Sequence, residues 1–176
     1  MKKDKESLHD KMYRNCIEEY QDFPIKGVNY LDINPLYKKT TWRNLLVDEC
    51  VDKCKDLNFD YIGMVESRGF IIGSMIAQDL DKGVLLLRSK PNRLPGETVR
   101  VEHTLEYGTS QMEVQKGEGR VLIFDDVLAT GGTAKGAIDV LEKGGYNPIG
   151  ALFICELDFL SPELSVPHNS IIHYKD

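Results

Sequence analysis

The sequence of 176 residues is poor in cysteine, and the few cysteines form no recognisable framework. Cys16, Cys50, Cys54 and Cys155 show no C-x-x-C spacing, and no histidine lies near Cys50 and Cys54, which share one face of a predicted helix. This pattern argues against a disulfide scaffold, and it favours two semi-buried thiols over a zinc site. A reducing, cytoplasmic compartment fits best.

Long apolar runs and an excess of positive charge are also missing. No hydrophobic run approaches membrane-spanning length, and the basic start of the chain has no apolar stretch behind it, so we expect a polar helix there and no secretion signal. The net charge of −6 argues against a nucleic-acid-binding surface. An anionic substrate would need cations gathered locally. Basic residues of this kind lie in or beside the motifs described below: Arg68, Arg88, Lys90, Arg93 and Arg100.

The length suits one domain, and the hydrophobic patterning predicts strands that alternate with helices. Strands are expected at 61–65, 84–87, 121–124, 149–155 and 170–174, and helices at 4–20, 41–57, 70–80 and around 137–141. Residues 22–39 are expected to be irregular, while 98–105 and 111–114 form an antiparallel excursion. This order predicts an α/β fold with a central, mostly parallel sheet flanked by helices, which binds ligands outside the carboxyl ends of its strands.

The most informative segment runs from Val121 to Gly145. An apolar strand is followed by Asp125 and Asp126 at its expected end, and then by a small ATGGT turn (129–133) that opens a helix. Backbone N–H groups at such a turn suit a phosphate, whereas two carboxylates beside it would repel one. The pair makes sense if it faces the hydroxyl-rich part of the same ligand, so the segment predicts a sugar-phosphate site.

Other interpretations of this segment remain open. The acidic pair could be a solvated sheet edge, and Thr130 or Thr133 could cap the helix instead of binding a ligand. Two well-known phosphate-binding patterns do not fit the spacing. Lys135 follows the turn instead of lying inside a G-x-x-x-x-G-K-[ST] motif, and no G-x-G-x-x-G occurs.

The segment from Asp125 to Thr133 resembles the phosphoribosyl-pyrophosphate (PRPP) motif of type I phosphoribosyltransferases. Three further stretches resemble the adenine phosphoribosyltransferases and follow the order of that family: DFP (22–24) with Gly27 and Asp32, ESRGF (66–70), and KPNRLPG (90–96) followed by LEYG (105–108). The resemblance implies a type I phosphoribosyltransferase fold in a single domain, 1–176, with an N-terminal helix and base-binding hood (1–39) and a flexible lid (about 96–117). It also implies transfer of the phosphoribosyl group of PRPP to adenine, giving AMP and pyrophosphate.

The resemblance implies roles for individual residues. Glu106, on the lid, would handle a proton at the base, and Arg68 would act on the leaving pyrophosphate. Asn29, Tyr30 and Val127 would bind the base. The residues implied in PRPP binding are Ser67, Arg68, Gly69, Lys90, Arg93, Tyr107, Asp125, Asp126, Ala129, Thr130, Gly131, Gly132 and Thr133.

Further implications concern the metal, the partners and the rival functions. Mg²⁺ is expected to travel with PRPP, held largely by the oxygens of that substrate, so no dedicated set of protein ligands is predicted. A homodimer is implied, with no nucleic-acid or membrane partner.

Leu31 stands where the family commonly carries arginine, which leaves hypoxanthine or guanine open as the base. A non-catalytic PRPP-binding regulator is the rival of a different class, and the presence of Glu106 and Arg68 argues against it. His103 is expected on the surface of a loop.

Overall fold

The computed structural model describes residues 8–23, 25–105 and 108–175. The chain divides into two compact units, 1–48 and 49–176. The first unit contains α1 (Leu8–Arg14), a hairpin of the antiparallel strands β1 (Glu18–Gln21) and β2 (Asn29–Asp32), and the short helix α2 (Asn34–Lys38). The long helix α3 (Thr40–Cys54) spans the boundary between the units in sequence. The single-domain interpretation of 1–176 stays a prediction.

The prediction of one helix over 4–20 is wrong beyond Arg14, and the irregular segment 22–39 is ordered over much of its length. Residues 18–21 pair as a strand with residues 29–32. The Asp22 carboxylate accepts a hydrogen bond of 2.6 Å from the Gly27 N–H, which closes the loop between the two strands. The hairpin therefore depends on a turn contact that hydrophobic periodicity does not register.

The second unit is built on a sheet of five parallel strands in the order β4-β3-β7-β8-β9. Its strands are β3 (Tyr61–Val65), β4 (Gly83–Leu87), β7 (Gly119–Leu128), β8 (Tyr146–Leu157) and β9 (His168–Tyr174). The helix α4 (Gly69–Asp79) follows β3, and α5 (Gly132–Gly144) follows β7. This architecture confirms the predicted α/β fold with a parallel sheet flanked by helices.

Strand β4 confirms the strand expected at 84–87, but it lies at the edge of the sheet and is only partly buried. Leu87 is fully buried, but Val84 and Leu86 are 47% and 37% exposed. Their register partners on β3, Ile62 and Met64, are buried. An edge strand has a neighbour on one side only, and an apolar run in the sequence does not distinguish it from a central strand.

The predicted antiparallel excursion is a hairpin of β5 (Thr98–Leu105) and β6 (Gly108–Gln115), packed against α5. Val101 and Met112 belong to the same buried cluster as the apolar residues of α5. His103 was expected at a loop surface, but it is 9% exposed on β5, pressed against Gly136, where a Cβ atom would lie 2.6 Å from its ring. The arms of the hairpin are thus part of the core, and the flexible lid over about 96–117 stays a prediction. Among the described helices, none combines the length and apolar character needed to cross a membrane.

Candidate active site

Three neighbouring strands bring the predicted site residues to one edge of the sheet. Strands β4, β3 and β7 lie side by side and parallel, so the segments that follow Leu87 and Val65 meet the carboxyl end of β7. The sequence predicted that the strand ends before the acidic pair. Strand β7 instead continues to Leu128, so the acidic pair lies within it. The convergence itself agrees with the expectation that ligands bind at this edge of a parallel sheet.

Asp125 and Asp126 are buried at the end of β7, with exposed fractions of 9% and 3%. They are therefore not the solvated sheet edge that the sequence left open. The Asp126 N–H donates a 2.9 Å hydrogen bond to Asp125 Oδ1. Arg68 places its Nε 2.7 Å from Asp126 Oδ2, an oxygen that makes this ion pair but has no well-aligned hydrogen bond among the described residues. The ion pair with Arg68 and the backbone N–H of Asp126 thus help to hold the two carboxylates in place.

The turn after β3 is shaped to reach the acidic pair. A cis peptide bond joins Glu66 to Ser67, and Gly69 begins α4 directly against β7. A Cβ atom on Gly69 would lie 2.9 Å from the Phe124 carbonyl oxygen, closer than side chains tolerate. Glycine is therefore needed here for close backbone packing, and that packing sets Arg68 beside Asp126.

The environment of the acidic pair changes its protonation. Burial raises the pKa of Asp125 well above its usual range, and the neighbouring charge of Asp126 raises it further. Burial also raises the pKa of Asp126, while the Arg68 guanidinium opposes that rise. Without a ligand, the two carboxyl groups together therefore retain a proton more readily than two exposed aspartates would.

The ATGGT turn leads into α5 through a glycine. Gly131 is the N-cap residue, in the left-handed region with φ +84°, a conformation that residues with side chains adopt only at a cost. Because no side chain caps the helix at Gly131, neither threonine has the capping role that the sequence left open. Thr130 is exposed and Thr133 is half-buried in the first turn. The turn thus offers hydroxyl groups and the positive end of a helix of 13 residues, which together suit a phosphate.

The loop from Arg88 to Arg100 is anchored by two carboxylates that the sequence analysis did not single out. Glu66 accepts hydrogen bonds from the Ser89 N–H (2.8 Å) and the Ser89 hydroxyl (3.2 Å), and it pairs with Arg88 at 3.1 Å. Glu113 accepts a 2.9 Å hydrogen bond from the backbone N–H of Arg93, and it pairs with Arg100 at 3.0 Å. Arg88 and Arg100 are therefore engaged in holding the loop.

Lys90 and Arg93 lie on this anchored loop with exposed side chains. Glu113 could have been found from the sequence by counting outward from the hairpin turn, since Leu105 pairs with Gly108 and Arg100 pairs with Glu113. The contacts of Glu66 could not be predicted in this way, because they link the residue after β3 to Arg88 and Ser89 after β4. Glu106 and Tyr107 lie outside the described residues.

The residues predicted to bind the base belong to different units. In the first unit, Asn29 donates a hydrogen bond of 3.1 Å to Glu19 across the hairpin, and the Tyr30 ring meets Phe23 edge-on with centroids 5.1 Å apart. Leu31, the departure from the family pattern, is buried with 7% exposure. In the second unit, Val127 is half-buried on β7 directly after the acidic pair.

A second acidic cluster lies at the ends of β8 and β9. Glu156, Asp158 and His173 bring their ligand atoms within 4.8 Å of one another. His173 Nδ1 lies 2.8 Å from Asp158 Oδ1, and the Ser170 hydroxyl donates a 2.7 Å hydrogen bond to Glu156. Hydrogen bonds and ion pairs thus link the members of this cluster to one another.

Comparisons with known proteins extend over nearly the whole chain. No protein-family model matches it. The curated adenine phosphoribosyltransferase of Pseudothermotoga lettingae is 40% identical over 154 residues, which cover 85% of this chain and 89% of that protein. The solved adenine phosphoribosyltransferase of Thermoanaerobacter pseudethanolicus is 33% identical, with a TM-score of 0.87 over 94% of this chain and 99% of its own. That of Saccharomyces cerevisiae, complexed with an imino-altritol bisphosphate and adenine, is 29% identical, with a TM-score of 0.84 over 93% and 98%.

The raised pKa of Asp125 predicts how stability depends on pH. A carboxyl group whose pKa is higher in the folded than in the unfolded state binds more protons when folded, so stability falls as the pH rises from about 4 through the folded pKa. Asp125→Asn removes this cost, so we expect its melting temperature to exceed that of the wild type at pH 7 and the gap to close towards pH 4. In a chain of this size each kcal/mol moves the Tm by roughly 2–4 °C.

Thermal melts of both proteins across this pH range, without ligand, measure the effect. The exposed Asp79→Asn at the end of α4 is the matched control and should show no widening gap. A difference between Asp125→Asn and the wild type that stays constant across the range would contradict the proposed proton linkage.

Proposed function

The chain belongs to the adenine phosphoribosyltransferase family, and on that premise we propose that it transfers the phosphoribosyl group of PRPP to adenine, giving AMP and pyrophosphate for purine salvage. One observation carries the proposal. A buried acidic pair on β7 is followed along the chain by a helix N-terminus with a glycine at its N-cap position. Acceptors for sugar hydroxyls and donors for a phosphate are thus supplied by one continuous segment.

The ribose and its 5′-phosphate would bind along this segment. Asp125 and Asp126 would accept hydrogen bonds from the two ribose hydroxyls, which suits buried carboxylates of which one oxygen, Asp126 Oδ2, has no well-aligned hydrogen bond within the described residues. The 5′-phosphate would bind at the turn, to backbone N–H groups of Ala129, Gly131 and Gly132 and to the hydroxyls of Thr130 and Thr133. Support comes from the exposed Thr130 and the left-handed Gly131 at the start of α5.

The pyrophosphate would leave towards the turn after β3 and the loop after β4. The ion pair with Asp126 fixes the Arg68 guanidinium beside the ribose acceptors, where it would balance the charge of the departing group. The Ser67 and Gly69 backbone, with Lys90 and Arg93, would complete the binding of the leaving group. Tyr107 would join them. No protein nucleophile is needed, because substitution at the anomeric carbon is helped by positioning and by stabilisation of the leaving group.

We further propose that Mg²⁺ arrives with PRPP. Within the described residues, the one group of three potential metal ligands is Glu156, Asp158 and His173, and Asp125 and Asp126 are not part of it. A metal bound mainly by substrate oxygens fits this distribution of carboxylates. When bound, Mg²⁺ would neutralise part of the charge of the pyrophosphate.

Adenine would bind to backbone groups near Asn29 and stack on Tyr30 and Val127. The replacement of the family arginine by the buried Leu31 keeps hypoxanthine and guanine as rival bases. A site that hydrogen-bonds the six-position of a purine rejects the wrong polarity there, because buried groups would be left unpaired.

A base panel tests both the reaction and its specificity. Pyrophosphate release from PRPP and Mg²⁺ is measured with adenine, hypoxanthine and guanine in turn. We expect adenine to exceed both 6-oxopurines in kcat/KM by roughly 10⁴, the level reached by sites that read hydrogen-bond polarity. A higher value for either 6-oxopurine would overturn the base assignment, and no release with any base would favour the regulator that does not catalyse.

Glu106 is proposed to handle the proton of the base. In the sequence it directly follows Leu105, the last residue of β5. Glu106→Gln should fold and bind PRPP but lose on the order of 10²–10⁴ in kcat, as expected for removal of a general acid or base. Steady-state kinetics and a thermal melt measure the two effects. The control is Glu102→Gln, which changes an exposed carboxylate of β5. Near-full turnover by Glu106→Gln would show that Glu106 does not handle the proton.

We infer that the protein is a cytoplasmic homodimer. All four cysteines are free, which suits a reducing compartment. The edge strand β4 exposes Val84 and Leu86 on the same side of the sheet as α4, where Ile71 is also 45% exposed. Exposed apolar side chains at a sheet edge are typical of an interface, and a second copy of the chain would cover them.

A charge placed on this face should separate the subunits. Leu86→Lys would bury an unpaired ammonium group in the proposed interface, so we expect the monomer mass in light scattering after gel filtration, whereas the wild type elutes as a dimer. Leu57→Lys is the matched control, since Leu57 is similarly exposed (42%) in the turn after α3. Identical masses for Leu86→Lys and the wild type would exclude this face as the interface.

A further inference from the structure

The carboxyl group of Glu113 is buried inside the hairpin and beside the loop after β4. Its side chain is only 1% exposed. It lies on β6 directly opposite Arg100 of β5. Burial alone would raise the pKa of Glu113, but hydrogen bonds from Arg93, Arg100 and Thr98 outweigh that effect and lower it, so the group is charged at neutral pH. A buried charge of this kind requires its partners to remain in place.

The two oxygens of Glu113 hold different parts of the loop. Oε2 accepts a 2.9 Å hydrogen bond from the backbone N–H of Arg93. Oε1 accepts two hydrogen bonds of 3.0 Å from Nε and Nη2 of Arg100, and the same guanidinium donates a 2.7 Å hydrogen bond to Asn92 Oδ1. The backbone of Glu113 also exchanges two 2.9 Å hydrogen bonds with the backbone of Arg88. One residue thus fastens the beginning, middle and end of the loop.

We propose that Glu113 is a positioning residue for the pyrophosphate group, an inference that rests on the proposed function. It holds the backbone at Arg93 and the neighbouring Asn92, and so sets where Lys90 and Arg93 present their charges. The hydrogen bonds of its carboxylate lead to residues 92–100 and not to the acidic pair or the ATGGT turn. Its loss should therefore weaken binding of the pyrophosphate part of the substrate and leave AMP binding intact.

The variant Glu113→Gln tests this selectively. An amide has one acceptor oxygen where the carboxylate has two, so its NH₂ group must face either the Arg93 N–H or the Arg100 guanidinium, donor against donor. We expect Mg²⁺–pyrophosphate to bind about tenfold more weakly, as one lost or opposed buried hydrogen bond implies. Calorimetry with Mg²⁺–pyrophosphate and with AMP on the same preparation measures both affinities, and KM for PRPP should rise more than kcat falls.

The direction of the change separates positioning from simple electrostatics. Removing a negative charge near an anion site would remove a Coulomb repulsion and so strengthen pyrophosphate binding, whereas a displaced loop weakens it. The double variant Glu113→Gln with Arg100→Gln restores complementary partners, because the new NH₂ group of residue 113 can donate to the side-chain carbonyl at position 100. It should recover most of the lost pyrophosphate affinity.

The exposed Glu102→Gln, which removes a carboxylate paired to Gln111 on the same hairpin, is the control and should bind both ligands as the wild type does. Equal weakening for AMP and pyrophosphate, unchanged or tighter pyrophosphate binding, or no recovery in the double variant would each overturn the proposal. If Glu113→Gln does not fold, Arg100→Gln alone must show the selective loss. A wild type that binds neither ligand would instead overturn the proposed function.

Discussion

The burial of two adjacent carboxylates at the end of β7 is the constraint around which the second unit is organised. Isolated charges of this kind are costly away from water, and these two also repel each other. The Arg68 ion pair at 2.7 Å offsets part of the cost, and it requires the turn after β3 to lie against β7, which in turn requires a residue without a side chain at position 69. The burial that the ion pair does not compensate raises the pKa of both carboxyl groups. Hydroxyl groups of a bound ligand would donate hydrogen bonds to the carboxylates and so stabilise their charged forms.

The parts of this arrangement that depend on local sequence could be predicted. Strand β3 has the predicted bounds, because a short apolar run between turns leaves few alternatives. The acidic pair and the ATGGT turn were identified because a strand, two carboxylates and a glycine-rich helix start follow one another without interruption. Their meeting with the turn after β3 followed from the parallel order of the strands, since the carboxyl ends of such strands share one edge.

The parts that depend on contacts between distant segments could not be predicted in the same way. The strand Glu18–Gln21 forms only because a turn brings it to β2, and its own sequence continues a helical pattern. His103 lies on a strand in which apolar and polar residues alternate, and the sequence does not show which face of that strand is buried. The structure shows that the face carrying His103 packs against Gly136 of α5. The pairing of Glu113 with Arg100 follows from the hairpin register, but the burial of Glu113 and its hydrogen bond from the Arg93 N–H join segments distant in sequence, as do the contacts of Glu66 with Arg88 and Ser89. Charged residues are usually solvated, so neither sequence segment indicates a buried carboxylate.

The pairing of Arg100 with Glu113 also restricts how the sequence can diverge. The two positions face each other across the hairpin, with the carboxylate enclosed and the guanidinium partly exposed. A substitution at position 113 alone leaves a cation facing an apolar or amide group, and one at position 100 alone leaves an enclosed anion, which is the more costly of the two. Related chains should therefore keep this pair or replace both members together, even though neither residue belongs to a segment by which the family is recognised.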